Sequence, residues 1–279
     1  MKINIAKSSG FCLGVKRAVK IALETAKNQR NVYMLGDIVH NEEVTRQVQK
    51  AGIKKIKKLR KVKDGILLIR AHGISLSTTR QAKNLGYRII DATCPMVKEI
   101  HRIAQQMEQK GHKIIIIGDK KHDEVKGITG QLKKKVLVIE SGKNMPLSKI
   151  KRIKKAAVVV QSTRDLEKVL KIIRVLKKHI KELKFHNTIC RPTQIKQEEI
   201  KKLPLENDLT VIIGSRTSAN TKRLYQIARS LSKKTYWVQS KIELKPGWFK
   251  QTRKVGIASG ASTPDSTTQA VVDKIRSYR

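Results

Sequence analysis

Short runs rich in isoleucine, valine, leucine and alanine alternate along this chain with longer stretches whose apolar residues recur every three or four positions. The short runs are Asn31 to Val39, Gly65 to Arg70, His112 to Gly118, Val136 to Ile139, Ala156 to Val160, Thr210 to Gly214, Tyr236 to Val238 and Lys254 to Ala258. Three further runs each end at a cysteine: Lys2 to Ala6 before Cys12, Arg88 to Thr93 before Cys94, and Phe185 to Ile189 before Cys190. Helical spacing follows at once, as Val15, Ala18, Val19, Ala22 and Ala26 after Cys12, and as Val97, Ile100, Ala104 and Met107 after Cys94. Pro95 suits the first position of the second of these helices, because its fixed φ and missing N–H cost nothing there. Strands alternating with helices throughout predict an α/β fold with mainly parallel sheets.

The cysteines at 12, 94 and 190 divide the chain almost evenly, into pieces the size of one small α/β lobe. The expected organisation is three lobes, 13–94, 95–190 and 191–279, with residues 1–12 packing against the last. No Gly/Ser-rich or Pro-rich linker separates them, so three small lobes packed around one central site are expected.

Polar residues with chemical capacity obey the same positional rule as the cysteines. His40 follows the run ending at Val39, His72 the run ending at Arg70, and His122 with Glu124 the run ending at Gly118. Gln161-Ser162-Thr163 follows Val160, Ser218-Ala219-Asn220-Thr221 follows Gly214, and Gly260-Ala261-Ser262-Thr263-Pro264 follows Ala258. Ligands of open α/β sheets bind outside the carboxyl ends of the strands, so these groups and the thiols are candidates for one crevice. Singly, each has a plainer reading: a histidine at a strand end commonly caps a helix, and Glu124 is a carboxylate at a helix start.

The three thiols carry two readings. An odd number argues against a disulfide framework, and no pair has the spacing of a zinc knuckle or redox dithiol. Thiolates from three distant segments suit an iron–sulfur cluster that needs four ligands and receives three, leaving one iron open. Three separate buried thiols acting as small core hydrophobes are the alternative. Placement at helix starts favours the cluster, since unpaired amides stabilise an anion there. His40, His72, His122, Ser218, Asn220 and Ser262 offer hydrogen-bond donors of the kind a diphosphate requires. No phosphate loop with its lysine and no dinucleotide fingerprint is present, which sets ATP and NAD aside.

Lysine and arginine number 62 against 22 acidic residues, a net charge of +40 that raises nucleic acid as a partner. The basic residues are spread along the chain, and aromatics make up only 4%, so the stacking platforms of single-strand binders are scarce and specific nucleic-acid binding is not expected. Most of these charges read as solvated faces that can steer an acidic redox partner or an anionic substrate. No hydrophobic run approaches a membrane span and no apolar signal stretch opens the chain, so a soluble, cytoplasmic protein with reduced thiols is expected.

Taken together, these segments resemble the 4-hydroxy-3-methylbut-2-enyl diphosphate reductase family, the LytB-type iron–sulfur reductases of non-mevalonate isoprenoid synthesis. The matching stretches are Gly10-Phe11-Cys12-Leu13-Gly14-Val15, Val39-His40-Asn41, Ala71-His72-Gly73, Asp91-Ala92-Thr93-Cys94-Pro95, Gly127-Ile128-Thr129-Gly130-Gln131, Asn187-Thr188-Ile189-Cys190, Ser218-Ala219-Asn220-Thr221 and Gly260-Ala261-Ser262-Thr263-Pro264, in order over nearly the whole length. The resemblance implies a three-lobed monomer with one [4Fe-4S] cluster on Cys12, Cys94 and Cys190. The implied reaction is reductive dehydroxylation of the allylic diphosphate to isopentenyl and dimethylallyl diphosphates, with electrons from an acidic donor such as flavodoxin or ferredoxin. By the same carry-over His40, His72, His122, Ser218, Asn220 and Ser262 hold the diphosphate, while Glu124, Thr163 and His122 serve the chemistry at the hydroxyl. A cluster-dependent hydro-lyase and a basic RNA-binding module with structural cysteines are the competing readings. Three departures from the family pattern stand out: Asp123 where proline is usual, Ala219 where a second serine is common, and Lys196 in place of arginine.

Overall fold

Residues 1–278 of the 279 are described by the structure, a computed structural model. The chain opens with β1 (Lys2–Ile5) and α1 (Leu13–Asn28), then runs β2 (Val32–Leu35), α2 (Glu42–Lys50), β3 (Lys54–Ile56), β4 (Gly65–Ile69), α3 (Leu76–Asn84) and β5 (Tyr87–Asp91). Next come α4 (Pro95–Gln109), β6 (Lys113–Ile117), α5 (Asp123–Thr129), β7 (Leu137–Ile139), α6 (Leu147–Ile150), β8 (Lys155–Val160), α7 (Leu166–His179) and β9 (Glu182–Phe185). The remainder is α8 (Arg191–Glu206), β10 (Leu209–Ile213), α9 (Ala219–Leu231), β11 (Thr235–Val238), β12 (Lys254–Ser259) and α10 (Asp265–Arg276).

The strands form three four-stranded sheets, and every neighbouring pair is parallel. Two sheets have the orders β3-β2-β4-β5 and β7-β6-β8-β9, and the third reads β11-β10-β12-β1. All three are one topology: the first strand is flanked by the second and third, and the fourth lies outermost beyond the third. In the third sheet the outermost place is taken by β1, from the start of the chain. Each cysteine therefore follows the outermost fourth strand of a sheet and precedes a helix: Cys12 lies between β1 and α1, Cys94 between β5 and α4, and Cys190 between β9 and α8.

Alternation along the strands fills a core on both faces of a sheet. Ile115, Ile117, Ala156, Val158 and Val160 pack with Val169, Ile172, Ile173 and Leu176 of α7. Their neighbours Ile114, Ile116, Ala157 and Val159 pack on the opposite face with Ile100 and Ala104 of α4 and with Val125 and Ile128 of α5. Each fully buried isoleucine or valine contributes about 1.5–3 kcal/mol. The sheet containing β10 and β12 divides likewise, Val211, Ile213, Val255 and Ile257 facing α10, and Ile212 and Ala258 facing α8 and α9.

The chain forms two compact units, one of Met1–Lys16, Val39–Arg46 and the chain from Arg191 onward, the other of Arg17–Ile38 and Gln47–Cys190. The first holds the sheet β11-β10-β12-β1 and the second holds the other two sheets. Lobe boundaries at 94/95 and 190/191 remain a proposal.

Some strands differ from the pattern reading. The Asn31 to Val39 run is strand only to Leu35, because Gly36 turns the chain at φ +85°, its α-carbon passing close to the Arg70 guanidinium. The run before Cys190 is not a strand over Phe185 to Ile189: β9 ends at Phe185, and beyond it the Thr188 hydroxyl accepts from Val160 N–H at 2.7 Å and donates to Val160 C=O at 2.6 Å in place of backbone. Lys54-Lys55-Ile56, absent from the runs named above, forms the edge strand β3. Lysines on such an exposed edge discourage further strand pairing. Among the described residues no helix is long and apolar enough to cross a membrane.

Candidate active site

The shared topology places a switch point between the first and third strands of each sheet, where successive connections leave in opposite directions and ligand crevices open. The segments leaving those strands carry the polar residues singled out above. His72 leaves β4, His122 and Glu124 leave β6, Ser162 and Thr163 leave β8, Ser218 and Asn220 leave β10, Ser262 leaves β12, and the segment after β2 carries His40.

In the second unit, His122 is the N-cap of α5, its Nδ1 accepting from Glu124 N–H at 3.2 Å. Its ring meets that of His72 edge-on, centroids 5.6 Å apart. Glu124 is 2% exposed. One carboxyl oxygen accepts from Ser162 N–H at 2.6 Å and the other from the Ser162 hydroxyl at 2.7 Å. Burial pushes this carboxyl above the usual carboxylate range, with the two Ser162 hydrogen bonds pulling the other way. Ser162 C=O in turn accepts the N–H of Cys190 at 3.1 Å. Thr163 accepts from Gln161 Nε2 at 3.1 Å. The hydroxyl that meets Glu124 is that of Ser162, within a triplet whose order alone did not identify the inward member.

Cys94 is the N-cap residue of α4, followed by Pro95, and its N–H donates to Ala71 C=O at 3.0 Å. The turn before it is fixed twice: Asp91 accepts from Thr93 N–H at 2.9 Å, and Arg17 donates to Thr93 C=O at 3.1 Å. Beneath lies His101 of α4, 9% exposed, its Nε2 meeting no hydrogen-bond partner among the described residues. A Cβ on Gly73 would stand 2.9 Å from the His101 ring, and one on Gly127 would stand 3.6 Å from it, so the ring fills space that both glycines leave. Burial pulls His101 down to about 4, against the opposing attraction of Asp91. The extra charge of Asp123 is met locally, since Arg70 donates to it at 2.7 Å.

In the first unit, Ser218 caps α9 by accepting from Thr221 N–H at 3.3 Å, and Ser262 donates to His40 C=O at 3.0 Å. Asn220 is 4% exposed, and neither its Oδ1 nor its Nδ2 meets a partner among the described residues. A buried amide in that state costs about 1–3 kcal/mol, which a polar ligand would recover. Ala219 is the first residue of α9 and leaves the cap intact.

Cys12 sits in a turn held by its neighbours. Its N–H donates to Ala261 C=O at 3.1 Å, Gly10 N–H donates to the Ser259 hydroxyl at 2.6 Å, and Ser259 N–H to the Ser9 hydroxyl at 3.2 Å. Gly10 is at φ +90°, and a Cβ there would stand 2.0 Å from a carboxylate oxygen of Asp265. Lys196 of α8, 4% exposed, donates to Ser8, Gly10 and Ser259 carbonyls. Burial pulls its ammonium down to about 8, with attraction from Cys12, Glu199 and Asp265 opposing. Nothing in the sequence pointed to Glu199, which accepts from both the N–H and the hydroxyl of Ser8.

All three cysteines are half-buried thiols outside any disulfide. Among the described residues, no three His, Cys, Asp or Glu side chains are grouped closely enough to hold a metal ion.

A family model described as LytB protein matches residues 3–276. The chain is 40% identical to the 4-hydroxy-3-methylbut-2-enyl diphosphate reductase of Campylobacter hominis over 280 residues, covering 99% of this chain and 98% of that one. It is similar to the solved structure of (E)-4-hydroxy-3-methyl-but-2-enyl diphosphate reductase, the terminal enzyme of the non-mevalonate pathway, with 36% identity, a TM-score of 0.73, and 99% and 100% of the two chains covered. It is also similar to the E-1-hydroxy-2-methyl-but-2-enyl-4-diphosphate reductase from Plasmodium falciparum, with 32% identity, a TM-score of 0.87, and 98% and 87% covered.

Proposed function

Because the chain belongs to the LytB protein family, we propose that it is a 4-hydroxy-3-methylbut-2-enyl diphosphate reductase. It breaks the allylic C–O bond of its substrate with two electrons and two protons, giving isopentenyl or dimethylallyl diphosphate and water. The observation that carries the assignment of roles is the buried Glu124 joined to Ser162, whose carbonyl receives the amide of Cys190.

The donor set suits an iron–sulfur cluster: three soft thiols, each at the junction of an outermost strand and a helix. Cys12, Cys94 and Cys190 would hold a [4Fe-4S] cluster that brings electrons and Lewis acidity to the C–O bond. Burial disfavours the charge of Glu124 and so raises its affinity for a proton, which it delivers so that the oxygen leaves as water. The Ser162 hydroxyl orients the carboxyl, and Thr163 joins Glu124 in hydrogen-bonding the substrate hydroxyl. Asn220, whose buried amide atoms have no partner among the described residues, binds the diphosphate together with His40, His72, His122, Ser218 and Ser262. The basic surface draws in an anionic substrate and an acidic donor such as flavodoxin or ferredoxin. A cytoplasmic monomer is the working form.

The test is anaerobic turnover with a strong chemical reductant, wild type beside Glu124→Gln. The amide keeps the shape and a hydrogen bond to Ser162 but cannot give up the proton, so substrate affinity is retained while kcat falls roughly 10²–10⁴-fold. Turnover without reductant, as in a hydro-lyase, or equal loss of binding and rate in the variant would overturn the proposal.

A further inference from the structure

Two side chains one helical turn apart on α8 grip the segment that carries Cys12. Glu199 takes the donors of Ser8, its N–H at 3.0 Å and its hydroxyl at 2.5 Å. Lys196 takes the acceptors, donating to Ser8 C=O, to Gly10 C=O at 3.1 Å and to Ser259 C=O at 3.2 Å. A lysine ammonium has three donors, and here each has a carbonyl. One of those carbonyls belongs to β12 and two to the turn, so the ammonium ties the turn to the sheet beneath it. The turn needs such a tie because Gly10 stands in the left-handed region and has no side chain with which to pack. The same ammonium is buried and within electrostatic reach of Cys12.

We infer that Lys196 is a positioning residue for Cys12: its ammonium, buttressed by Glu199, fixes the 8–12 turn and so sets where the Cys12 sulfur stands. The action is local to that turn and leaves the segments of Cys94 and Cys190 unchanged. Its importance for catalysis rests on the reading of Cys12 as a cluster ligand, but the clamp itself does not.

The experiment separates the two by measuring alkylation of the full-length, metal-free chain with iodoacetamide. The rate at each cysteine is read by peptide mass spectrometry in wild type, Lys196→Met and Lys196→Arg. Methionine keeps the length and loses every donor, so the Cys12 rate should rise about tenfold, the effect of losing one or two charge-assisted hydrogen bonds on local opening. Cys94 and Cys190 in the same molecules should hold their rates, and the arginine variant, which retains donors, should restore Cys12 to within about threefold of wild type. Equal acceleration at all three thiols, an unchanged Cys12 rate in Lys196→Met, or failure of arginine to rescue would each overturn the inference. Because this readout needs neither cluster nor substrate, a clamp that holds in a protein without reductase activity would refute the proposed function alone.

Discussion

Acidification should weaken this protein through one buried ring, and the size of the effect follows from its surroundings. His101 stands at about 4 where an exposed histidine stands near 6.5, because burial disfavours its cation. The folded state therefore binds fewer protons than the unfolded chain between those values, and stability must fall as the pH drops through that window. The interval corresponds to about 3 kcal/mol, fully present above pH ~6.5 and lost below pH ~4. A protonated ring would also carry an N–H at Nε2, where no partner stands among the described residues, against the glycines of the His72 loop and of α5. The assay is urea unfolding of wild type and His101→Leu from pH 7 to pH 4, followed by circular dichroism. All other groups are common to both proteins, so the difference between the two stability curves isolates His101. Wild type should lose about 3 kcal/mol more than the variant over this range. Parallel curves would refute the reasoning, as would a steeper fall in the variant.

Replacing Ser162 by alanine removes the hydroxyl donor from a fully buried carboxyl, at a cost of about 1–3 kcal/mol in denaturant unfolding. The change pushes Glu124 further up, so the limb of the kcat profile on which rate falls with rising pH should move to higher pH. Asn220→Ala removes a buried amide with no partner among the described residues, so thermal stability should hold or rise, by up to about 1–3 kcal/mol, while KM for the diphosphate rises about tenfold or more. Gly10→Ala combines a left-handed backbone with a Cβ 2.0 Å from Asp265, and calorimetry should register a loss of about 1–3 kcal/mol.

Much of the fold was legible because periodicity and chain punctuation agreed. Val97, Ile100, Ala104 and Met107, placed on one helix face by spacing alone, are all buried in α4, with Pro95 at its first turn. What the pattern could not carry was pairing. Residues 1–12 are expected against the last lobe, but the register that sets β1 in the outermost place beside β12 depends on contacts more than 200 residues apart, which no local window registers. The same limit explains the site. A strand followed by polar residues marks where chemistry gathers, which is what singles out Glu124 and His122 in the sequence. Which hydroxyl of Gln161-Ser162-Thr163 turns toward Glu124 depends on how the turn after β8 is wound. Glu199 carries no signal in the sequence, and Lys196 stands out there only as a departure from the family pattern: among so many lysines, a buried one looks like any other until the carbonyls around it are seen.

The proposed chemistry requires three sulfurs serving one metal centre. The most direct measurement is iron and acid-labile sulfide, with the electron paramagnetic resonance spectrum of the reduced protein, on anaerobically prepared wild type and on the Cys12→Ser, Cys94→Ser and Cys190→Ser variants. Wild type should carry about four irons and four sulfides per chain, and each single serine variant should lose the intact cluster. A variant that folds, keeps the full complement of iron and sulfide and gives the wild-type spectrum would contradict the claim.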